Sequence, residues 1–491
     1  MTFFSFPITQ CLPFTMKVPR PDKCTAFDSQ PCNPCIEDIE LEKEMNELTI
    51  RIEKIVIRRR ALRTAMNENH DRLIHKFPPE VASYIFLQYC PPSAFFDEDV
   101  STSPLDLGAV CRKWRQLSWA TPQLWSSILI GFCPRGRYRS YDTSDNLQFV
   151  TEWLERSACV PLTIRFDWHS VPGHFRPDRI QNEVINILNK HSAKWYDVRL
   201  DIPRRYLHHF HGSSQGNNLR RLALIHRHSL YDSYPTLMFS MNSKPSPTDL
   251  TLVDVHLGHV DIIWSNLTIA SVDDIGDDEC VELIRRAPLL ENLSMGNIHA
   301  SSGLFPFPET RIIRPHLHFL QILEFHRDDG VAAILDSVCL PSLEEWIHEC
   351  PLPLDDMISP LGYLSSCLKI FKISSNWVYT HQLNRLLWDL SSLEFLELRI
   401  GHMRIEDLDF LSISAQSPLF LPHLQTLEFI CESPFPWESL PQIFAPSHRR
   451  SLTVNVNSKS CHLYDDETRN LLLELVDKGF DLRVRGEINF P

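Results

Sequence analysis

From Leu41 onward, apolar residues recur in alternating steps of four and three: Leu41, Met45, Leu48, Ile52 and Ile55, then Leu62, Met66 and Leu73, with Arg59 and Asn69 in the polar breaks. Steps of that size place them along one seam of a helix. Two such helices pairing as a coiled coil, or one helix laying its seam on the next domain, both satisfy the pattern, because the run only just reaches the roughly three to four heptads asked of a coiled coil. We assign residues 36–72 to this helix.

Residues 73–125 read as short helices between Pro-bearing turns. In Phe77-Pro78-Pro79-Glu80-Val81 the prolines suit a helix start, and Val81, Ile85 and Phe86 share a face. The acidic, Ser-rich stretch Asp97 to Pro104 has loop composition. After it, Leu107, Val110, Cys111, Trp114 and Leu117 form a second apolar stripe, closed by Thr121-Pro122.

Beyond residue 140, strand-like runs with L-x-x-L-x-L spacing alternate with helical stretches. The runs are Trp195/Val198/Leu200, Leu219/Leu222/Leu224, Leu250/Val253/Val255, Leu290/Leu293/Met295, Leu320/Leu323/Phe325, Leu368/Phe371/Ile373, Leu393/Leu396/Leu398 and Leu424/Leu427/Phe429, with weaker cases at Leu267 and Leu343. Their spacing of roughly 23 to 31 residues is close to that of leucine-rich repeats, about 20–29. Helical stretches lie between several of them, at Asp277 to Ala287, Gly330 to Val338 and Gln382 to Leu390. One strand plus one helix per repeat predicts an α/β solenoid over 145–491, in which each repeat leans on its neighbours. The spaced leucines then point into the core, so partner contacts must come from the positions between them: Ser294, Glu324, Lys372, Glu397 and Glu428. These are polar and of mixed charge, which suits a protein surface better than a small apolar ligand.

Composition narrows the class. Only 15 glycines in 491 residues argue against propellers and β-sandwiches, whose hairpins use Gly at positive φ. Hydrophobic residues at 43% and charged residues at 22% are globular values, although residues 1–35, with six prolines and no period, read as a disordered leader. A net charge of −14 repels phosphate backbones, so nucleic acid is not an expected partner; Arg58, Arg59, Arg60 and Arg63 fall on a charged helix, where a solvated face explains them. Fourteen scattered Cys fit a reducing compartment. No apolar run is long enough for a membrane span, and the start does not fit a signal peptide, so we expect the cytoplasm or nucleus.

The string Leu73, Phe77-Pro78-Pro79-Glu80-Val81, Ile85-Phe86, Leu105, Leu107, Val110-Cys111-Arg112-Lys113-Trp114-Arg115-Gln116-Leu117, Leu124-Trp125 resembles the F-box domain. Phe77 stands where a leucine is usual, and Pro91 to Pro104 is longer than a compact box needs. The whole layout, with Ala287-Pro-Leu-Leu-Glu-Asn-Leu, Leu340-Pro-Ser-Leu-Glu-Glu and Leu421-Pro-His-Leu-Gln-Thr-Leu-Glu-Phe as repeat strings, resembles the F-box families expanded in mushroom-forming fungi. The resemblance implies a three-helix-type box at 73–130 that binds a Skp-type adaptor through Pro78, Pro79, Val81, Ile85, Phe86, Leu107, Val110, Cys111, Trp114 and Leu117. It further implies a non-enzymatic substrate receptor, joined through the adaptor to a cullin–RING ubiquitin ligase, with an unknown protein substrate on the repeats and no cofactor. A scaffold that uses the adaptor without ubiquitin transfer is the alternative.

Chemistry-bearing motifs are weak. Gly212-Ser-Ser-Gln-Gly216 matches the serine-hydrolase G-x-S-x-G, but a strand-like run follows where a nucleophile elbow needs a helix. His208, His209, His211, His226 and His228 lack helix-spaced zinc ligands, and Cys32-Asn-Pro-Cys35 lacks a second ligand pair.

Overall fold

A computed structural model of the chain describes residues 32–70, 76–91, 102–131, 143–167, 179–214, 216, 218–226, 238–300, 303–323, 330–349, 367–375, 380–401, 417–431, 435–444, 449, 451–458 and 466–485. Leu73, His228, Glu324 and Phe325 lie outside these residues, as do residues 1–31 of the leader. The chain divides into two compact units, Met1–Tyr89 with Ser103–Ala120, and Cys90–Thr102 with Thr121–Pro491.

The first unit is helical. Its long helix α1 (Asn33–His70) matches the four-three pattern, and the seam residues from Leu41 to Met66 are 49% to 67% exposed. The seam is therefore not laid on the next helices. Among the described residues, three short helices follow: α2 (Pro79–Tyr89), α3 (Pro104–Val110) and α4 (Arg112–Trp119). The apolar stripe from Leu107 to Leu117 is thus two helices and not one. Cys111 breaks it: its backbone is extended, closing α3 and capping α4 through Sγ, which accepts from the Trp114 amide.

The second unit is built on a parallel sheet of 14 strands in sequence order. They are β1 (Ser127–Gly131), β2 (Leu162–Asp167), β3 (Trp195–Asp201), β4 (Arg221–Ile225), β5 (Asp249–Val253), β6 (Ile269–Gly276) and β7 (Asn292–His299), then β8 (Phe319–Leu323), β9 (Glu345–Glu349), β10 (Ile370–Ser375), β11 (Phe395–Ile400), β12 (Thr426–Cys431), β13 (Thr453–Ser458) and β14 (Asp481–Arg485). The array starts at β1, ahead of residue 145. Leu124 and Trp125, read above as the tail of the box, are buried in this unit, where the Trp125 ring meets Trp153 edge-on.

Alternation along each strand sends every second side chain into the core. One packed column runs Ile130, Phe166, Leu200, Leu224, Leu252, Val272, Met295, Ile322, His348, Ile373, Leu398, Phe429, Val456 and Val484. Pairing also corrects two repeat frames by three residues. Leu250 lies opposite Leu222 and Leu320 opposite Leu293, so the frames are Pro247/Leu250/Leu252 and Leu317/Leu320/Ile322. Three successive repeats turn left-handed, just after β5 at Asp254 (φ 53°) and within the last residues of β6 and β7 at Asp274 (57°) and Asn297 (42°), the residue types that tolerate this region best after Gly.

Candidate interaction surfaces

The three short helices are held by backbone-directed contacts. Ser103 and Asp106 form a capping box on α3, with Pro104 at the first helical position. Arg115 Nε donates to the Gly108 carbonyl at 2.8 Å, and the Ser118 hydroxyl to that of Pro104 at 3.3 Å, tying α4 across α3. Phe86 of α2 is buried and meets the Trp114 ring of α4, centroids 4.7 Å apart.

The ten residues implied by the resemblance therefore separate. Phe86 and Leu107 are core, while Ile85, Cys111, Trp114 and Leu117 are half-buried. Pro78, Pro79, Val81 and Val110 are exposed, together with Phe77, Tyr84 and Tyr89. So many exposed apolar and aromatic side chains on so short a helical unit are the usual mark of a protein partner.

On the sheet, the expected contact positions fall in one register row on the face opposite the packed column. The row reads Leu129, Arg165, Arg199, Ala223, Thr251, Ser271 and Ser294 over β1–β7. It continues as Gln321, Ile347, Lys372, Glu397, Glu428, Asn455 and Arg483 over β8–β14. Ser294, Lys372, Glu397 and Glu428 are all in it; in the β8 repeat the row residue is Gln321, not Glu324, because the frame there is shifted. The first strands place Arg165 beside Arg199 at one end of the row, a feature the sequence reading missed because the repeat positions of the β2 run are Pro161, Ile164 and Phe166, with no leucine among them.

The most structured stretch is β9–β12. Lys372 Nζ lies 3.2 Å from Glu345 and 5.9 Å from the Phe395 ring centroid. Arg399 pairs with Glu349 at 3.5 Å and Glu397 at 3.3 Å. Burial pushes the Glu397 carboxyl above the usual carboxylate range; Glu428 and Glu349 push the same way, while Arg399 and Lys372 oppose. Half-buried Ile347, Ile370 and Phe395 lie among these charges. Apolar side chains set between ion pairs are what a protein interface offers.

The remaining motifs have structural settings. The amide of Gly212 (φ 62°) donates to Asn189 Oδ1 at 3.0 Å, and the Ser213 amide donates to Ser192 Oγ at 2.6 Å. A 3-10 turn, Arg204–His209, precedes this string and β4 follows it, unlike a strand–elbow–helix. Asn189 also donates to the His209 carbonyl at 2.7 Å and lies 3.4 Å from His211 Nε2, while His208 stacks on His209. His226 Nε2 is 3.7 Å from Asp254, which also pairs with Arg204. Cys32 and Cys35 approach to 3.4 Å at the start of α1. Among the described residues there is no group of three or more His, Cys, Asp or Glu that could hold a metal ion, and no helix long and apolar enough to cross a membrane.

No family model matches the chain, and no curated protein matches it. Among solved structures, the crystal structure of a TLR13–ssRNA13 complex aligns over 61% of this chain and 46% of that one, at 16% identity and a TM-score of 0.30. This chain thus corresponds to less than half of that protein's length. The repeat array rests on the parallel ladder itself.

Proposed function

We propose that the chain is a substrate receptor: α2–α4 bind a Skp-type adaptor of a cullin–RING ubiquitin ligase, and the half-buried row on the sheet face opposite the packed column holds a protein to be modified. The observation that carries this reading is the coincidence of the F-box-like string with a helical unit that leaves Val81 and Val110 exposed around a Phe86–Trp114 core. Chemistry occurs on other subunits. The contribution of this chain is proximity, since tethering a substrate lysine beside activated ubiquitin raises its effective concentration.

The test is co-purification of the full chain with a Skp-type adaptor and cullin, before and after Val81→Asp with Val110→Asp. Both positions are exposed, so the double variant should fold normally and lose the adaptor. Equal adaptor capture by both proteins, or no capture by either, overturns the assignment. A captured adaptor without proteins that accumulate on proteasome inhibition favours the scaffold reading over ubiquitin transfer.

A further inference from the structure

The long helix α1 carries a seam that nothing covers among the described residues. Seven large apolar side chains from Leu41 to Met66 are about half exposed or more, an apolar strip interrupted at Arg59 and larger than folded surfaces usually leave open without a partner. The charges around it are not evenly spread. Over residues 33–50, Glu37, Asp38, Glu40, Glu42, Glu44 and Glu47 outnumber Lys43; over 51–66, Arg51, Lys54, Arg58, Arg59, Arg60 and Arg63 outnumber Glu53. The helix is an acidic half followed by a basic half.

In heptad terms Met45, Ile52, Arg59 and Met66 take a positions, and Leu41, Leu48, Ile55 and Leu62 take d. A parallel, in-register pair would set Glu37 against Glu42 and Arg58 against Arg63 of the second helix, two like-charge contacts with no attractive one among its flanking pairs. Antiparallel pairing improves on this. With Ile52 opposite Ile55, Leu41 meets Met66, Met45 meets Leu62, and Leu48 meets the aliphatic stem of Arg59, whose guanidinium can extend past the seam to water. In that register Glu42 faces Arg63 and Arg51 faces Arg58, one attractive and one like-charge contact where the parallel pair has two like-charge contacts and no attraction.

We infer that α1 is an antiparallel self-association helix, and that its occupant is α1 of a second copy of this chain. The arrangement follows from the seam and the charge split together: the seam asks for a helix, and the charges select a reversed copy of this one.

The experiment uses the full chain. Light scattering should give a dimer mass, and Met66→benzoylphenylalanine should photo-crosslink to the segment around Leu41 of the other copy. Arg63→Glu turns the two symmetry-related Glu42–Arg63 attractions into repulsions and should weaken association on the order of tenfold. Adding Glu42→Arg restores opposite charges in the antiparallel pair and should restore the dimer; this rescue separates pairing from helix unfolding. A monomeric wild-type chain, crosslinks from position 66 to position 66, or failure of the double variant to regain association overturns the inference.

Discussion

His348 is the polar member of an otherwise apolar core column, between Ile322 and Ile373. It is 1% exposed, neither ring nitrogen has a hydrogen-bond partner, and burial pulls its pKa from 6.5 down to about 4. The folded array therefore holds the neutral imidazole, whereas the unfolded chain takes up a proton below pH 6.5. Stability is unaffected by this group above 6.5, falls as pH drops from 6.5 to 4, and levels off below. Between pH 7 and pH 5 the loss is about 2 kcal/mol, and its limit is roughly 3 kcal/mol, at 1.36 kcal/mol per unit. His348→Leu replaces the ring with a side chain suited to the column. It should remove that pH-dependent loss and also gain about 1–3 kcal/mol at neutral pH, the cost of burying unpaired polar atoms. Urea unfolding of wild type and variant at pH 7 and pH 5 gives the difference of differences, in which all other titrating groups cancel. An unchanged slope with pH in the variant, or an imidazole titrating near 6.5 in the folded protein, would falsify the reasoning.

Lys194 Nζ donates to the carbonyls of Leu154 and Ala158 and to Ser157 Oγ at 2.8 to 3.0 Å, closing the end of the helix Thr143–Arg156, so Lys194→Met should cost roughly 2 kcal/mol in chemical denaturation. Because burial raises the Glu397 pKa, the folded state binds this proton more tightly than the unfolded one; its contribution is present at low pH and lost as pH rises through the folded value. Glu397→Gln should flatten that loss, read as a smaller drop in urea midpoint between acidic and neutral pH. Lys372→Glu with Glu397→Lys leaves the packed column intact, so circular dichroism should be unchanged while the set of co-purified proteins changes; an unchanged set would move partner binding off this face.

The repeat frames at Leu219, Leu290, Leu368 and Leu424 were legible because each places three apolar residues where only one phase fits. Around Leu250 the apolar residues Leu250, Leu252, Val253 and Val255 fit two phases, and only the neighbouring strand decides between them. The first position of that repeat is Pro247, which no leucine pattern would mark. The outer strands β13 and β14 were missed for the same reason, since their first positions are Ser451 and Gly479. The break at Cys111 left no signal, because the apolar stripe continues across it and the nearby Gly108 lies inside α3 rather than at its end. Ser294, Lys372, Glu397 and Glu428 fall in one register row because their frames agree with the strand pairing, whereas the adaptor residues came from a sequence resemblance that does not distinguish buried Phe86 from exposed Val110.

Fourteen strands in sequence order also set a ruler. Neighbouring strands lie about 4.8 Å apart, so Arg199 on β3 and Glu397 on β11, eight strands on, are separated by about 40 Å along the ladder. An extended segment advances at most about 3.3 Å per residue, so it needs roughly a dozen residues to touch both. A short linear motif can therefore read the basic end or the acidic pair Glu397–Glu428, and only a long strand-like segment or a sizeable folded domain can read the two together.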